Sequence, residues 1–211
     1  EFMIWLAQNV SDIPRGILRV PSFPMIYLSQ IIFGGLFLCL FKGTIRWIGC
    51  APIIVFCLLL VLDTKKPSLL VDGKSGLVGV RYEGNLYVNY NRKARFVSKV
   101  WRQNLAVKSV KKWQELPSDM IFCDDLSCLL TIEGQQLSFV LNAMAFTEDC
   151  LATDHVVTKL KMPKWCRKTI KDGIDYWDLR NSGAHSISFD NNMVVIKTVK
   201  EEVGQRPWAQ F

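Results

Sequence analysis

Residues 23–41, FPMIYLSQIIFGGLFLCLF, and residues 48–62, IGCAPIIVFCLLLVL, decide how the chain divides. The first run holds 19 residues with no charge, about the length an α-helix needs to cross a hydrocarbon core. The second is shorter. It reaches spanning length only if Ile45–Trp47 contribute and Arg46 snorkels. The intervening Lys42-Gly43-Thr44 allows only a tight turn, so the two helices must run antiparallel. The reading is a membrane hairpin over residues 23–66. The alternative is a buried helical hairpin in a soluble core, but nothing downstream is apolar enough to cover it. Gly34, Gly35 and Gly49 permit close helix approach, and Pro52 is expected to kink the second helix.

Ahead of this hairpin, residues 1–22 carry apolar side chains at Phe2, Leu6, Val10, Ile13 and Ile17. That spacing suits an amphipathic segment lying on a membrane surface, broken by Pro14 and Gly16. The segment lacks the basic start and small-residue cleavage site of a signal peptide. Arg15, Arg19, Lys65 and Lys66 flank the hairpin, diluted by Asp12, Asp63 and Asp72. Lys42 and Arg46 in the turn have no acid beside them, but the positive-inside rule barely decides between the two ends. The cytoplasmic turn is expected from the even set of domain cysteines, which suits an oxidising side for residues 67–211.

Beyond Pro67 the composition becomes that of an ordinary globular domain over residues 67–211. Short β-type runs alternate with turns: 68–71, 77–82, 86–90, 120–123, 127–132, 137–141, 154–158, 184–189 and 193–199. Glu83-Gly84 and Glu133-Gly134 are hairpin turn signals. One helix is predicted over Arg95–Asn104, with Phe96, Val97, Val100 and Trp101 on one face and Arg95, Lys99 and Arg102 on another. The fold class is therefore a membrane helical hairpin followed by a mixed α/β, sheet-rich soluble domain.

The chain carries a formal net charge of +7. Between Glu83 and Glu115 there is no acid, while Arg92, Lys93, Arg95, Lys99, Arg102, Lys108, Lys111 and Lys112 all fall there. Such a field favours a polyanion, either nucleic acid or anionic lipid headgroups. Phe96, Trp101 and Trp113 interleave with these cations. Cations that offset phosphate beside aromatics that stack on bases are how single strands are held without sequence reading. A solvated helix face with its aromatics turned into the core is the competing reading.

The four cysteines of the domain, Cys123, Cys128, Cys150 and Cys166, are even in number and suit two disulfides on an oxidising, extracytoplasmic side. Cys123 with Cys128 and Cys150 with Cys166 is one pairing among those open. Zinc at the C-x4-C pair is the alternative, although no second knuckle accompanies it. The only histidines are His155 and His185, too few for a multi-histidine hydrolytic site. Asp178, Arg180 and His185 form a polar group near Ser182, but a catalytic reading would need a nucleophile such as Cys150 or Ser182. No phosphate-loop, H-E-x-x-H or G-x-S-x-G pattern occurs. The reading assigns no enzyme activity, metal or cofactor.

The run IYLSQIIFGGLFLCLFKGTIRWIGCAP, then CDDLSC, EDC followed by ATDHVV, the lone Cys166, IDYWDLRNSGAHSISF and a terminal RPW together resemble the C-terminal part of ComEC-family competence proteins of alphaproteobacterial type. The resemblance covers nearly the whole chain. It implies a multi-pass bacterial inner-membrane channel for uptake of single-stranded transforming DNA, of which this chain corresponds to the C-terminal end. Its partners would be membrane lipid, the other segments of the same channel and single-stranded DNA. Many members carry a metallo-β-lactamase-like C-terminal domain. This chain lacks the histidine-rich metal motif, so the domain is either a degenerate relative of that fold or a different one, and no catalytic residue carries over. The alternatives are a degenerate metallo-hydrolase-like membrane-bound domain and a non-functional remnant of a split gene.

Overall fold

The computed structural model describes residues 2–11, 25–62, 67–89, 94–190 and 193–204. Arg15, Arg19, Pro14, Gly16, Lys65, Lys66, Arg92, Lys93 and the terminal RPW, on which parts of the sequence reading rest, lie outside them. The chain divides into two compact units, residues 1–64 with 103–106, and residues 65–102 with 107–211.

The first unit is helical. Helix α1 spans Phe2–Ser11, α2 Met25–Leu40 and α3 Cys50–Leu62. A 3-10 helix over Thr44–Gly49 joins the last two. Gly34 and Gly49 sit where α2 meets this turn. A Cβ on either would lie 2.7 Å from the other's carbonyl oxygen, so only hydrogen fits there. Gly35 faces open space and plays no such part. Pro52 falls in the first turn of α3, where a helix needs no N–H from it.

The expected membrane hairpin is overturned here. Helix α2 has 16 residues and α3 has 13, so at 1.5 Å per residue they are about 24 and 20 Å long, short of the roughly 30 Å hydrocarbon core. Among the described residues no helix is long and apolar enough to cross a membrane. The reason is local. Helix α2 stops at Leu40, Gly43 turns the chain at φ 79°, and residues 44–49 wind as a tight 3-10 turn in place of extending α3 backward. The same finding counts against a multi-pass placement in the bacterial inner membrane. An apolar run measures composition; the helix it builds is set by where glycine and the turn interrupt it.

The second unit is built from two sheets. Strands β1 Leu69–Val71, β2 Val78–Tyr82, β3 Asn85–Val88 and β4 Val110–Lys112 join β10 His185–Asp190 and β11 Met193–Thr198 in the order β11-β10-β1-β2-β3-β4. Strands β5 Ile121–Cys123, β6 Ser127–Ile132, β7 Gln135–Val140, β8 His155–Thr158 and β9 Asp172–Ile174 form the other sheet in sequence order. Glu83-Gly84 and Glu133-Gly134, each with φ between 48° and 79°, make the two-residue hairpins β2–β3 and β6–β7. Two positive φ values match the right-handed twist of the flanking strands.

Alternation within the strands stacks the layers. Val78, Val80 and Tyr87 of one sheet and Leu130, Leu137, Phe139 and Val157 of the other share one buried cluster, so the sheets pack face to face. Val140 and Val156 point the other way, into a second cluster with Phe146, Cys150, Cys166 and Ile170. Those residues come from α5 Phe146–Ala152, α6 Lys164–Thr169 and the segment after it. Gly79, between Val78 and Val80, faces outward on the first sheet beneath α4 Arg95–Asn104; a Cβ there would lie 3.1 Å from the Trp101 ring. Helix, sheet, sheet and helix thus succeed one another. The mixed α/β, sheet-rich character expected of residues 67–211 is present, with α7 Tyr176–Ser182 and α8 Val199–Val203 completing it.

Candidate nucleic-acid interface

The acid-free stretch identified from sequence forms α4 and the edge strand β4. Arg95, Lys99 and Arg102 recur at i, i+4 and i+7, one face of the helix. Arg95 and Lys99 are exposed and Arg102 half-buried. Lys108 is exposed beyond them, and the Lys111 ammonium lies 5.7 Å from the Tyr87 ring centroid. Lys112 is exposed, and its N–H is accepted by the Glu115 carboxylate at 3.3 Å. Arg92 and Lys93 lie outside the described residues.

The aromatics of this stretch divide. Trp101 packs over Gly79 and is 9% exposed. Trp113 is 6% exposed, stacks edge-on with Phe139, and donates from Nε1 to the Tyr87 carbonyl at 3.1 Å. Both belong to the core. Among the described rings of this stretch, Phe96 alone stays outside, at 76% exposure.

A second basic surface was missed by the sequence reading. Between Asp154 and Asp172 the chain again holds no acid, yet carries Lys159, Lys161, Lys164, Arg167, Lys168 and Lys171. Arg167 clamps α6 to α7: its guanidinium donates to Asp178 at 2.7 and 3.1 Å and lies 3.4 Å from Asp175. The hydrogen bonds it donates to Asp178 hold the Arg167 pKa above its ordinary value against burial. Burial alone would push the Asp178 carboxyl up, but Arg167 and the Asp175 N–H outweigh it and hold that carboxyl low. Lys171 pairs with Asp154 at 2.6 Å, and Lys159 donates to the Ser75 carbonyl at 2.6 Å. Lys161, Lys164 and Lys168 are exposed and have no acidic partner among the described residues.

Here the aromatics stay outside. Trp165 is 44% and Trp177 47% exposed. Lys161 lies 5.2 Å and Arg180 6.0 Å from the Trp177 ring centroid, and Tyr176 packs edge-on against the same ring at 5.2 Å. The signal that could have found this surface was the second acid-free run, which is shorter than the first.

The polar group Asp178, Arg180 and His185 does not converge. Asp178 is held by Arg167 and accepts from the Asp175 N–H as part of the α7 cap. Arg180 donates to the Tyr176 hydroxyl. His185 is buried, with Nδ1 2.9 Å from the Gly183 carbonyl, and burial pushes its pKa down. Cys150 is bonded to Cys166 and Cys123 to Cys128, so Cys150 offers no nucleophile and the C-x4-C pair no zinc thiolates. His155 is buried against Phe189, its Nδ1 3.2 Å from Asp172 but not aligned as a hydrogen bond. Among the described residues no three His, Cys, Asp or Glu side chains are grouped to hold a metal ion. The chain matches no family model, no curated protein and no solved structure.

Proposed function

We propose that this chain is a non-catalytic, single-strand-binding part of a DNA-uptake protein of the ComEC type, and that its disulfide-stapled sandwich contacts the incoming strand through α4. The observation that carries the reading is the acid-free face of Arg95, Lys99 and Arg102 with Phe96 exposed beside it. Three cations on one helical face offset successive phosphates, and an outward phenyl ring offers a surface for an unpaired base. Two disulfides staple the domain that carries this face and suit an oxidising setting.

The test is a gel shift with single-stranded DNA across salt concentrations, wild type against Arg95→Glu, Lys99→Glu and Arg102→Glu combined. Binding should weaken with salt, and the triple reversal should flatten the log–log slope by about 2, near 0.7 per lost phosphate contact on a single strand. Binding that is absent, or indifferent to salt, would sink the proposal.

A further inference from the structure

We infer that the α6–α7 surface is a second single-strand contact, in which Trp177 stacks on an unpaired base while Lys161, Arg180, Lys164 and Lys168 offset the neighbouring phosphates. The inference takes its ligand class from the reading of α4, but rests on its own residues.

Four observations support it. First, the Trp177 ring is nearly half open although it lies beside a well-packed core. Second, cations stand over it: Lys161 at 5.2 Å and Arg180 at 6.0 Å from its centroid. A cation on an aromatic face is held by the ring quadrupole. A base sliding onto that face displaces the ammonium sideways, next to the phosphate the base brings with it. Third, Lys164 and Lys168 are one turn apart on α6, opposite buried Cys166, and have no acid among the described residues to neutralise them. Fourth, the platform is rigid before any ligand arrives. The Asp175 carboxylate accepts from the Trp177 and Asp178 N–H groups at 2.8 and 3.2 Å, and the Leu160 carbonyl accepts from Tyr176. Arg167 ties α6 to α7, and the Cys150–Cys166 bond ties α6 to α5. A preordered aromatic loses little freedom on binding. The cations argue for a phosphate-bearing strand over a neutral glycan, which would also stack on Trp177 but gains nothing from lysine.

The experiment uses the full chain and a fluorescently labelled oligothymidylate, read by anisotropy across salt, with the same sequence as a duplex and a neutral oligosaccharide as controls. Trp177→Ala should weaken single-strand binding about five- to a hundredfold, the range of one lost base stack, with the salt slope and duplex binding unchanged. Trp177→Phe should recover most of the loss. Lys164→Glu with Lys168→Glu should flatten the slope by about 1.4. An unchanged urea midpoint for Trp177→Ala shows that the variant folds, and the α6 pair tests the surface even if it does not. Unaltered single-strand binding in Trp177→Ala and in the α6 pair overturns the inference. So does an equal loss on duplex, which means charge without stacking, or Trp177-dependent binding of the oligosaccharide alone. Failure of the α4 reversals with success here removes α4 from the proposal and leaves this site; the opposite outcome removes this site and leaves α4.

Discussion

The two acid-free stretches, 84–114 and 155–171, look alike as strings of lysine, arginine and aromatic residues, and they fold to opposite ends. In the first, α4 turns Trp101 down onto Gly79, and Trp113 fills the space between the sheets. In the second, Met162, Cys166 and Ile170 turn inward, Trp165 remains outside, and so does Trp177 of the following α7. The difference follows from what each helix offers the sheet beneath it. Helix α4 covers a strand that presents a glycine, which lets the Trp101 ring approach the backbone closely. Helix α6 is held by a disulfide and an Arg167 clamp and needs no aromatic anchor. Composition alone therefore says which segments are basic, but not which of their rings are available to a ligand.

Tryptophan deletion breaks this comparison most sharply. Trp101→Ala should destabilise the protein by about 3–5 kcal/mol, as large core aromatics do. Trp177→Ala should stay within about 0.5 kcal/mol, as exposed positions do. Urea denaturation of the two variants is the check, and equal losses would mean that Trp177 is as structural as Trp101.

Next in size is the disulfide that stands in for an aromatic anchor. Cys150 and Cys166 are 16 residues apart, a loop whose closure stabilises by about 3 kcal/mol in the chain-entropy account. Cys150→Ala with Cys166→Ala should lower stability by that order. It should also weaken Trp177-dependent binding while leaving the contribution of α4 intact. Salt-dependent binding that fell equally at both surfaces would show that they are not separately supported.

Much of the sandwich could be read in advance, for definite reasons. Strands β2, β3, β6 and β7 are marked by Glu83-Gly84 and Glu133-Gly134, whose paired positive φ values leave little choice but a hairpin. The amphipathic α4 has ten residues and shows its period. Helices α5 to α8 have five to seven residues, fewer than two turns, so no 3.6-residue period can emerge. Edge strands β4, Val-Lys-Lys, and β9, Asp-Gly-Ile, hold one apolar residue with a side chain each and offer no apolar run to read. The hairpin of α2 and α3 was misread because hydropathy counts apolar residues, whereas crossing length depends on where Gly43 and the 3-10 turn stop the helix. At the candidate interface, charge was visible in the sequence and ring orientation was not.

A smaller effect tests why Trp101 can sit where it does. In Gly79→Ala the added Cβ would meet Leu86 Cδ1 and Trp101 Cζ3 at 3.1 Å and Trp101 Cε3 at 3.2 Å. The contact is too tight without a shift of the indole, and overpacking of this kind costs about 1–3 kcal/mol. The loss should shrink, with the Leu86 contact remaining, when Trp101 is already leucine, so a double-mutant cycle with Trp101→Leu measures the ring's share. Additive losses would mean that the glycine is not there for the ring.

The mildest way to separate the two surfaces is acid. His185 follows α7 in the chain, and Asp178 and Glu201 are the carboxylates that act on it. Burial outweighs both of them and the Gly183 carbonyl, and holds the imidazole pKa below its ordinary value. The unfolded chain, whose histidine titrates near 6.5, therefore takes up this proton before the folded one does. Stability from neutral His185 is complete above about pH 6.5 and is lost as pH falls below it. The Asp178 carboxyl, held low by Arg167, contributes its loss only at far lower pH. Urea midpoints measured from pH 7.5 to 5 should fall for the wild type and fall less for His185→Gln, which stays neutral. Parallel slopes for the two proteins would show that the acid sensitivity lies elsewhere, and would leave His185 as a plain core residue with no part in separating one basic surface from the other.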